Sequence, residues 1–152
     1  MHSMHSLLKE LREHYPQFTF TSSDTAYWNP EDRTVFYSDN IPELLHELGH
    51  AILKHQEYRR DIELLKIESD AWEYAAKTLA PLYHIDISEE IAQDSLDSYR
   101  DWLHSRSTCP ECRATGIQTS PAGYTCIVCR SKWRVNEAKN CELRRYKINP
   151  PR

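Results

Sequence analysis

Residues 41–55, IPELLHELGHAILKH, contain the most informative pattern in this chain of 152 residues. The pattern is HExxH, in which His46 and His50 are four residues apart and Glu47 lies between them. Residues four apart share one face of an α-helix, so both imidazoles can bind one zinc ion. Glu47 stands beside them, placed to act as the general base towards a water that the zinc activates. The stretch therefore predicts a helix, over about residues 42–58, with two metal ligands and one catalytic carboxylate.

The other side chains of this predicted helix are mostly apolar, which indicates that the helix is buried. They are Leu44, Leu45, Leu48, Ala51 and Ile52. Three ionisable groups on the remaining face of a buried helix need a partner, because unpaired burial is costly. A zinc ion supplies that partner; the alternative is a structural cluster in which the three groups satisfy one another.

A catalytic zinc needs a third protein ligand, and His55 is the nearest candidate along the chain. It lies nine residues after His46, whereas the metzincin pattern HExxHxxGxxH needs ten residues and a glycine. We therefore predict that His55 is a surface residue near the helix end.

Glu68 is the better candidate, because it lies on the next predicted helix, over about residues 61–79 and stopped by Pro81. Its neighbours at helical spacing form an apolar stripe: Ala71, Trp72 and Ala75. A carboxylate on that stripe would face the first helix. Asp70 and Glu73 point to other sides of the helix and remain the alternatives.

The rest of the first hundred residues predicts an α+β fold. Leucines at helical spacing predict a helix over residues 6–15, and alternation predicts a strand over residues 17–21. Aromatic and β-branched residues on both sides of an Asn-Pro-Glu-Asp turn predict a β-hairpin over residues 26–37. Asn40 and Pro42 suit the start of the HExxH helix, and Ser88 caps a last helix that extends to about His104.

HELGHAILKH followed by ESDAWEYA, residues 68–75, resembles the compact zinc peptidases of the gluzincin group, and ImmA/IrrE-like proteins most of all. Their pattern is HExxH followed by E-x-E-A-[ND]-x-F-A. The resemblance implies that Glu68 is the third ligand. It also implies a minimal zincin fold: an N-terminal helix, a small antiparallel sheet whose edge strand aligns a peptide, the HExxH helix and the Glu-ligand helix. Trp72 stands where the family has the Asp or Asn that orients the first histidine, so that partner must come from elsewhere.

A second metal pattern lies near the C-terminus. Cys109, Cys112, Cys126 and Cys129 form CxxC-x13-CxxC, which is typical of a closed structural zinc site in a zinc ribbon. Two disulfides would need an oxidising compartment, for which the sequence carries no signal. Cys141 is left over as an ordinary lone thiol. The sequence thus predicts two zinc ions, one catalytic and one structural.

Charge divides the chain at the same place. Residues 1–104 hold nine Lys and Arg against twenty Asp and Glu, a balance of −11, whereas residues 105–152 hold ten against three, a balance of +7. We therefore predict a metallopeptidase domain over residues 1–104 and a zinc ribbon with a basic tail over residues 105–152, joined by a linker at residues 105–108. Arg130, Lys132, Trp133 and Arg134 combine cations with an aromatic ring, which suits nucleic-acid binding.

The predicted function is zinc-dependent hydrolysis of peptide bonds in a protein or peptide substrate. The alternative is a non-catalytic zinc-ribbon protein that binds nucleic acid or regulates, with a zincin-like scaffold. An HExxH domain followed by a zinc ribbon also resembles SprT-like proteases in its order of parts. No apolar run approaches the ~20 residues that span a bilayer, and no secretory signal is evident, so we expect a cytoplasmic protein without membrane contact. Tyr83 and His84 are candidates for stabilising an oxyanion.

Overall fold

The computed structural model describes residues 3–56, 60–136 and 145–148 and has an α+β architecture, as predicted. The helices are α1 (Met4–His14), α2 (Ile41–Ile52), α3 (Asp61–Tyr74), α4 (Ala80–Leu82) and α5 (Glu89–Ser107), with a π-helical segment at Ala75–Leu79. The strands are β1 (Thr19–Ser22), β2 (Tyr27–Asn29), β3 (Thr34–Tyr37), β4 (Ile117–Ser120), β5 (Gly123–Thr125), β6 (Lys132–Val135) and β7 (Arg145–Ile148). Within the described ranges, no helix combines the length and apolarity needed to cross a membrane.

The first sheet is mixed. The prediction of a small antiparallel sheet is therefore wrong for the direction of one strand, β1. β2 and β3 form the predicted antiparallel hairpin, but β1 pairs with β3 in parallel and the strand order is β1-β3-β2. The parallel register places Phe20 beside Val35, and both side chains are buried. A hydrophobic pattern specifies which face of a strand is buried but not the direction of its neighbour, so the sequence could not distinguish the two pairings.

Helix α2 begins as predicted and ends earlier. Asn40 caps it by accepting a hydrogen bond from the backbone N–H of Glu43 at 3.1 Å, and a proline lies in the first turn. At the C-terminus the N–H of Lys54 bonds to the carbonyl of Ala51, and the N–H of His55 bonds to the carbonyl of His50. These two bonds form a Schellman motif with Lys54 in the left-handed region, at a φ of 60°. Glycine is the usual residue there, because a Cβ in this region costs about 1–2 kcal/mol.

Helices α2 and α3 approach each other closely at Gly49. A Cβ on Gly49 would lie 2.9 Å from the carbonyl oxygen of Ala71, which is backbone and cannot move aside cheaply. The glycine between the two histidines therefore permits the contact that brings His46 and His50 to the helix that carries Glu68. Leu44, Leu45 and Leu48 are completely buried on this side of the molecule, as their pattern predicted.

The helical run that starts at Asp61 continues past Pro81, where the sequence predicted a stop. A π-helical turn at Ala75–Leu79 includes a hydrogen bond from the N–H of Ala80 to the carbonyl of Ala75, five residues earlier. Pro81 then occupies the first turn of α4, a position that needs no backbone N–H. The widened turn thus accommodates a proline that would break a regular α-helix.

Residues 105–107 belong to α5, so the linker predicted at residues 105–108 is wrong. Ser88 does cap this helix, accepting from the N–H of Ile91 at 3.3 Å. In the last turn Arg106 is 2% exposed and its guanidinium lies over the ring of Trp102, 4.6 Å from the centroid. Residues 105–108, Ser-Arg-Ser-Thr, have the composition of a linker. The burial of Arg106 shows that this segment is instead part of a packed helix end.

The chain forms two compact units. The first comprises Met1–Glu57 and Lys66–Asp94, and the second comprises Tyr58–Leu65 and Ser95–Arg152. The predicted boundary between residues 104 and 105 follows charge and cysteine content, whereas these units follow packing. The second unit therefore includes the start of α3 and the later part of α5 in addition to β4–β7.

Hydrogen bonds around Asp61 explain why the start of α3 belongs to the second unit. Gln118 accepts from the N–H of Asp61 at 2.9 Å and donates to its carboxylate at 3.2 Å, and the Tyr124 hydroxyl donates to the same carboxylate. The Nε of Arg106 donates to the Tyr124 hydroxyl at 2.8 Å. This buried arginine thus has the hydrogen-bonded and acidic partners that a buried cation requires.

Four antiparallel strands in the order β4-β5-β6-β7 make up the rest of the second unit. Its buried core is small and consists of Cys109, Tyr124, Cys126, Trp133 and Val135. The rings of Tyr124 and Trp133 are stacked at 5.7 Å. Two of these five core side chains are thiols, so the packing of this unit depends on what the cysteines bind.

Candidate metal centres

The structure brings together His46, His50 and Glu68, the three residues predicted to hold the first metal. All three side chains are buried, and each offers one ligand atom within 4.8 Å of the others. The Nε2 of His46 lies 2.8 Å from Glu68 Oε2, and the Nε2 of His50 lies 3.3 Å from Glu68 Oε1. Ligand atoms of a tetrahedral zinc site lie about 3.3 Å apart, so the three groups need little adjustment to share an ion.

The hydrogen bonding of this His46–His50–Glu68 cluster fits a metal ion. His46 Nε2 and Glu68 Oε2 are close enough for an ion pair, yet their directions do not make a hydrogen bond, and both atoms are buried without another partner among the described residues. Buried polar groups are nearly always hydrogen-bonded or coordinated. An ion bound by both atoms would supply the partner that each of them lacks.

Electrostatics within the cluster favour the charged forms. Burial would lower the pKa of His46, but the adjacent carboxylates of Glu47 and Glu68 outweigh it and raise that pKa to about 9. Burial likewise opposes ionisation of Glu68, and the two histidines nevertheless hold its pKa well below the usual value. A metal ion that binds His46 at neutral pH must therefore displace a proton from it.

The ring of His46 is positioned by packing and by Glu47. Trp72 stacks on it with the ring centroids 4.2 Å apart and the planes 7° from parallel. The Nδ1 of His46 lies 3.4 Å from Glu47 Oε1, and the Glu47 side chain is 14% exposed. The aromatic residue at position 72 thus holds the first histidine by contact, where an Asp or Asn would hold it by a hydrogen bond.

His55 contacts the second histidine, which the sequence analysis did not predict. Its Nδ1 lies 2.9 Å from the Nδ1 of His50, and its backbone carbonyl accepts from the Nε1 of Trp28 at 3.1 Å. Burial and the neighbouring His50 lower the pKa of His55, which favours a neutral ring that can accept a hydrogen bond. The sequence gives no sign of this contact. It depends on the left-handed backbone of Lys54, which turns the chain so that His55 comes back to His50.

We predict that His55→Ala lowers the affinity of the first centre for zinc by about 10–100-fold, the usual effect of removing a group that orients a ligand. His55→Asn should restore part of the affinity, because its amide oxygen is an acceptor near the former Nδ1. His5→Ala, on the exposed side of α1, is the matched control. Competition with a chromophoric chelator measures the affinity, and an unchanged value in His55→Ala would show that the contact has no role in metal binding.

The alternative ligands lie elsewhere. Asp70 pairs with Lys66 at 2.9 Å, and Glu73 pairs with Lys77 at 3.2 Å, both on the exposed side of the helical run.

Tyr83 and His84 are the two residues that the sequence offered for stabilising an oxyanion. Tyr83 is buried, its hydroxyl lies 2.7 Å from His14 Nδ1, and burial raises its pKa. That hydroxyl is therefore engaged with α1. His84 is exposed and has a left-handed backbone.

The four-cysteine cluster of Cys109, Cys112, Cys126 and Cys129 forms the second centre, and it could hold a metal ion. The sulfur atoms are not joined as disulfides, and they lie 3.6 Å apart between Cys109 and Cys129 and 3.5 Å apart between Cys112 and Cys126. Four thiolates around a zinc ion are about 3.8 Å apart, which is close to these distances.

The two CxxC turns have the same backbone geometry. In each, an N–H approaches the first sulfur, and the residue after the second cysteine bonds back to the first cysteine's carbonyl at 3.0 Å. Those following residues, Arg113 and Arg130, both have left-handed φ values. The side chain and backbone N–H of Ser131 lower the pKa of Cys129 to about 6, whereas the neighbouring thiols raise the pKa of Cys112. A thiolate is the form that binds metal.

The predicted nucleic-acid residues are not equivalent in the structure. Arg130, Lys132 and Arg134 are exposed, but Trp133 is completely buried, and its Nε1 donates to the carbonyl of Arg106 at 2.9 Å. The ring of Trp133, which the sequence analysis grouped with these cations for nucleic-acid binding, is therefore not available to stack on a base, because alternation along β6 turns it into the core. Cys141 and the tail residues Lys139 and Arg144 lie outside the described residues.

Comparison of the chain with protein-family models, with curated proteins and with solved structures gives no match. The chemistry of the two centres is thus the basis for assigning a function.

Proposed function

We propose that this protein is a zinc-dependent metallopeptidase with a structural zinc ribbon. The observation that carries the proposal is the convergence of His46, His50 and Glu68 in a buried cluster, with the carboxylate of Glu47 next to it. A purely structural cluster of two histidines and a glutamate needs no second carboxylate at that place.

The two donor sets support different roles for two zinc ions. Two imidazoles and one carboxylate are the donor set of a catalytic zinc site, in which a fourth position stays open for water or substrate. Four cysteines complete a tetrahedron by themselves and leave no open position. We therefore assign catalysis to the His46–His50–Glu68 cluster and folding of the second unit to the four-cysteine cluster.

The two carboxylates of the first centre have separate tasks. Glu68 contacts the Nε2 atoms of both histidines, which supports it as the third ligand. Glu47 is partly exposed and lies on the Nδ1 side of His46, so it remains available to take a proton from the attacking water and deliver it to the leaving amine. When bound, the zinc ion supplies Lewis acidity that polarises the peptide carbonyl and makes the water more acidic.

The sheet offers a place for an extended substrate. β2 is an edge strand, and its Trp28 donates a hydrogen bond to the residue that contacts His50. A peptide that adds to a sheet edge gains main-chain hydrogen bonds regardless of its sequence. We propose that β2 aligns the substrate in this way beside the first centre.

Replacing Glu47 by glutamine should lower kcat/KM for peptide hydrolysis by at least about 100-fold, because general-base catalysis contributes roughly 10²–10⁴-fold. Zinc content should not change, since Glu47 is not a ligand. Glu43→Gln, an exposed carboxylate on the same helix, is the matched control and should behave as wild type. Cleavage of a quenched-fluorescence peptide library by zinc-loaded full-length protein is the measurement.

Two results would contradict the proposal. Hydrolysis that survives in Glu47→Gln would place the reaction elsewhere or in a contaminant. A zinc-loaded wild-type protein that cleaves no peptide in the library would favour the non-catalytic alternative.

A further inference from the structure

A cavity of about 430 Å³ opens beside the first centre, between the end of α2, the edge strand β2 and the segment before β1. Its volume is within the range of about 300–1,000 Å³ that is usual for ligand pockets. The lining is largely aromatic and aliphatic. It includes Tyr15, Phe18, Trp28, Pro30, Ala51 and Ile52.

The aromatic rings of the lining are already arranged for contact with a further ring. Phe18 and Trp28 meet edge to face with their centroids 5.4 Å apart, and both are only half-buried. Tyr15 is stacked on Phe18 with the centroids 6.4 Å apart, and the guanidinium of Arg33 lies 5.8 Å from the Phe18 centroid. The rings and one cation thus form a continuous lining that can contact a further aromatic or large aliphatic group.

The charged lining residues are all cationic, in a part of the chain that is strongly acidic. Arg33 and Lys54 line the cavity, and none of the described lining residues is an Asp or Glu. Neither cation lies within ion-pair distance of a carboxylate in the described ranges. Residues 1–104 hold twenty Asp and Glu against nine Lys and Arg, so the charge of the cavity lining is opposite to that of this part of the chain.

Both cations also occupy backbone positions that do not favour them. Arg33 has a φ of 52° and Lys54 a φ of 60°, a region in which glycine or asparagine is the favourable residue. At Lys54 a glycine would complete the helix end without strain. A lysine thus stands at a position whose backbone favours glycine, and its side chain lines the cavity.

The cavity is one side chain away from a metal ligand. His55 lines it and lies 2.9 Å, Nδ1 to Nδ1, from His50. A peptide held at the first centre would therefore present a neighbouring residue to the cavity.

We propose that this cavity selects the substrate by binding a bulky apolar side chain together with an adjacent carboxylate, which pairs with Arg33 and Lys54. The inference rests on the proposed function in taking a peptide as the ligand. The carboxylate has two possible sources, an acidic residue next to the apolar one or the C-terminus of the peptide. In either case the apolar group lies against Phe18 and Trp28, and the two cations bind the negative charge.

Binding of labelled peptides to full-length, zinc-loaded Glu47→Gln protein tests the proposal without any turnover. The probes are capped hexapeptides that contain phenylalanine followed by aspartate, phenylalanine followed by lysine, or alanine followed by aspartate, and a fourth peptide that ends in phenylalanine with a free carboxylate. By fluorescence anisotropy, the first should bind at least ten-fold more tightly than the second and the third. If the fourth binds more tightly than the first, the carboxylate is assigned to the C-terminus of the peptide, and if it binds more weakly, to an acidic side chain.

Variants of the cations separate the proposal from a loss of structure. Lys54→Glu should weaken binding of the phenylalanine–aspartate peptide at least ten-fold and tighten that of the phenylalanine–lysine peptide, whereas Lys9→Glu, an equal charge change on α1, should do neither. Lys54→Gly should raise the melting temperature, because it removes the left-handed lysine, and still weaken binding of the acidic peptide. Ile52→Trp, which fills the cavity, should abolish discrimination between phenylalanine and alanine.

The proposal is overturned if the four peptides bind alike, or if Lys9→Glu weakens binding as much as Lys54→Glu. Neither outcome concerns hydrolysis, which the comparison of wild type with Glu47→Gln tests separately. A wild-type protein that binds the acidic peptide but cleaves nothing would retain the cavity assignment and remove only the proposed peptidase.

Discussion

Glu68→Ala should empty the first metal centre and leave the second one loaded. It removes one of the three protein ligands that we propose for this centre. Loss of a group that merely orients a ligand costs about 10–100-fold in affinity, so loss of the ligand itself should exceed about 100-fold. Elemental analysis after dialysis against a weak chelator should then find one zinc ion per chain instead of two.

Asp70→Ala is the matched control, since Asp70 is two residues away on the same helix and pairs with Lys66 at 2.9 Å. Its metal content should equal that of the wild type, and so should that of Glu73→Ala. If Asp70→Ala empties the site and Glu68→Ala does not, the assignment of the third ligand is displaced by two residues.

Cys126→Ser should unfold the β4–β7 sheet. Cys126 is completely buried in a core of five side chains, and a core of that size cannot offset the entropy of folding without its metal. Structural zinc sites of this type contribute about 10–16 kcal/mol, which becomes folding free energy. Zinc content should fall by one ion, and limited proteolysis should then cleave within residues 109–135.

Cys141→Ser is the control for that experiment, because Cys141 belongs to neither CxxC pair. It should retain both metals and resist proteolysis like the wild type. A Cys126→Ser protein with two zinc ions and an intact sheet would show that the four-cysteine cluster is not a metal site.

The parts that the sequence predicts correctly depend on short, fixed spacings. The spacing of four residues from His46 to His50 is sufficient to place both rings on one face, and an apolar stripe beside Glu68 is sufficient to orient its helix. The CxxC pairs define their own turns. The cap at Asn40 and the cap at Ser88 have a local cause as well, a side chain that bonds to the backbone three residues later.

The parts that the sequence could not predict depend on contacts between distant residues or on unusual backbone. His55 reaches His50 only because Lys54 adopts a conformation that normally signals glycine. Pro81 remains within a helical run only because a π-helical turn precedes it. The sequence around Trp133 and Arg106 suggests surface residues, but both side chains are buried. Trp133 donates a hydrogen bond to the carbonyl of Arg106, and Arg106 donates one to the Tyr124 hydroxyl.

The hydrogen bonds of Asp61 also bear on the order in which parts of the chain can fold. Its partners Gln118 and Tyr124 lie 57 and 63 residues further along the chain. During synthesis these hydrogen bonds can form only after the β4–β5 hairpin has been made, while the later turns of α3, including Glu68, belong to the unit that ends at Asp94. Closing loops of that length slows folding far more than it costs in stability. Neither unit can be excised by a single cut, because the chain passes from one to the other after residues 57, 65 and 94.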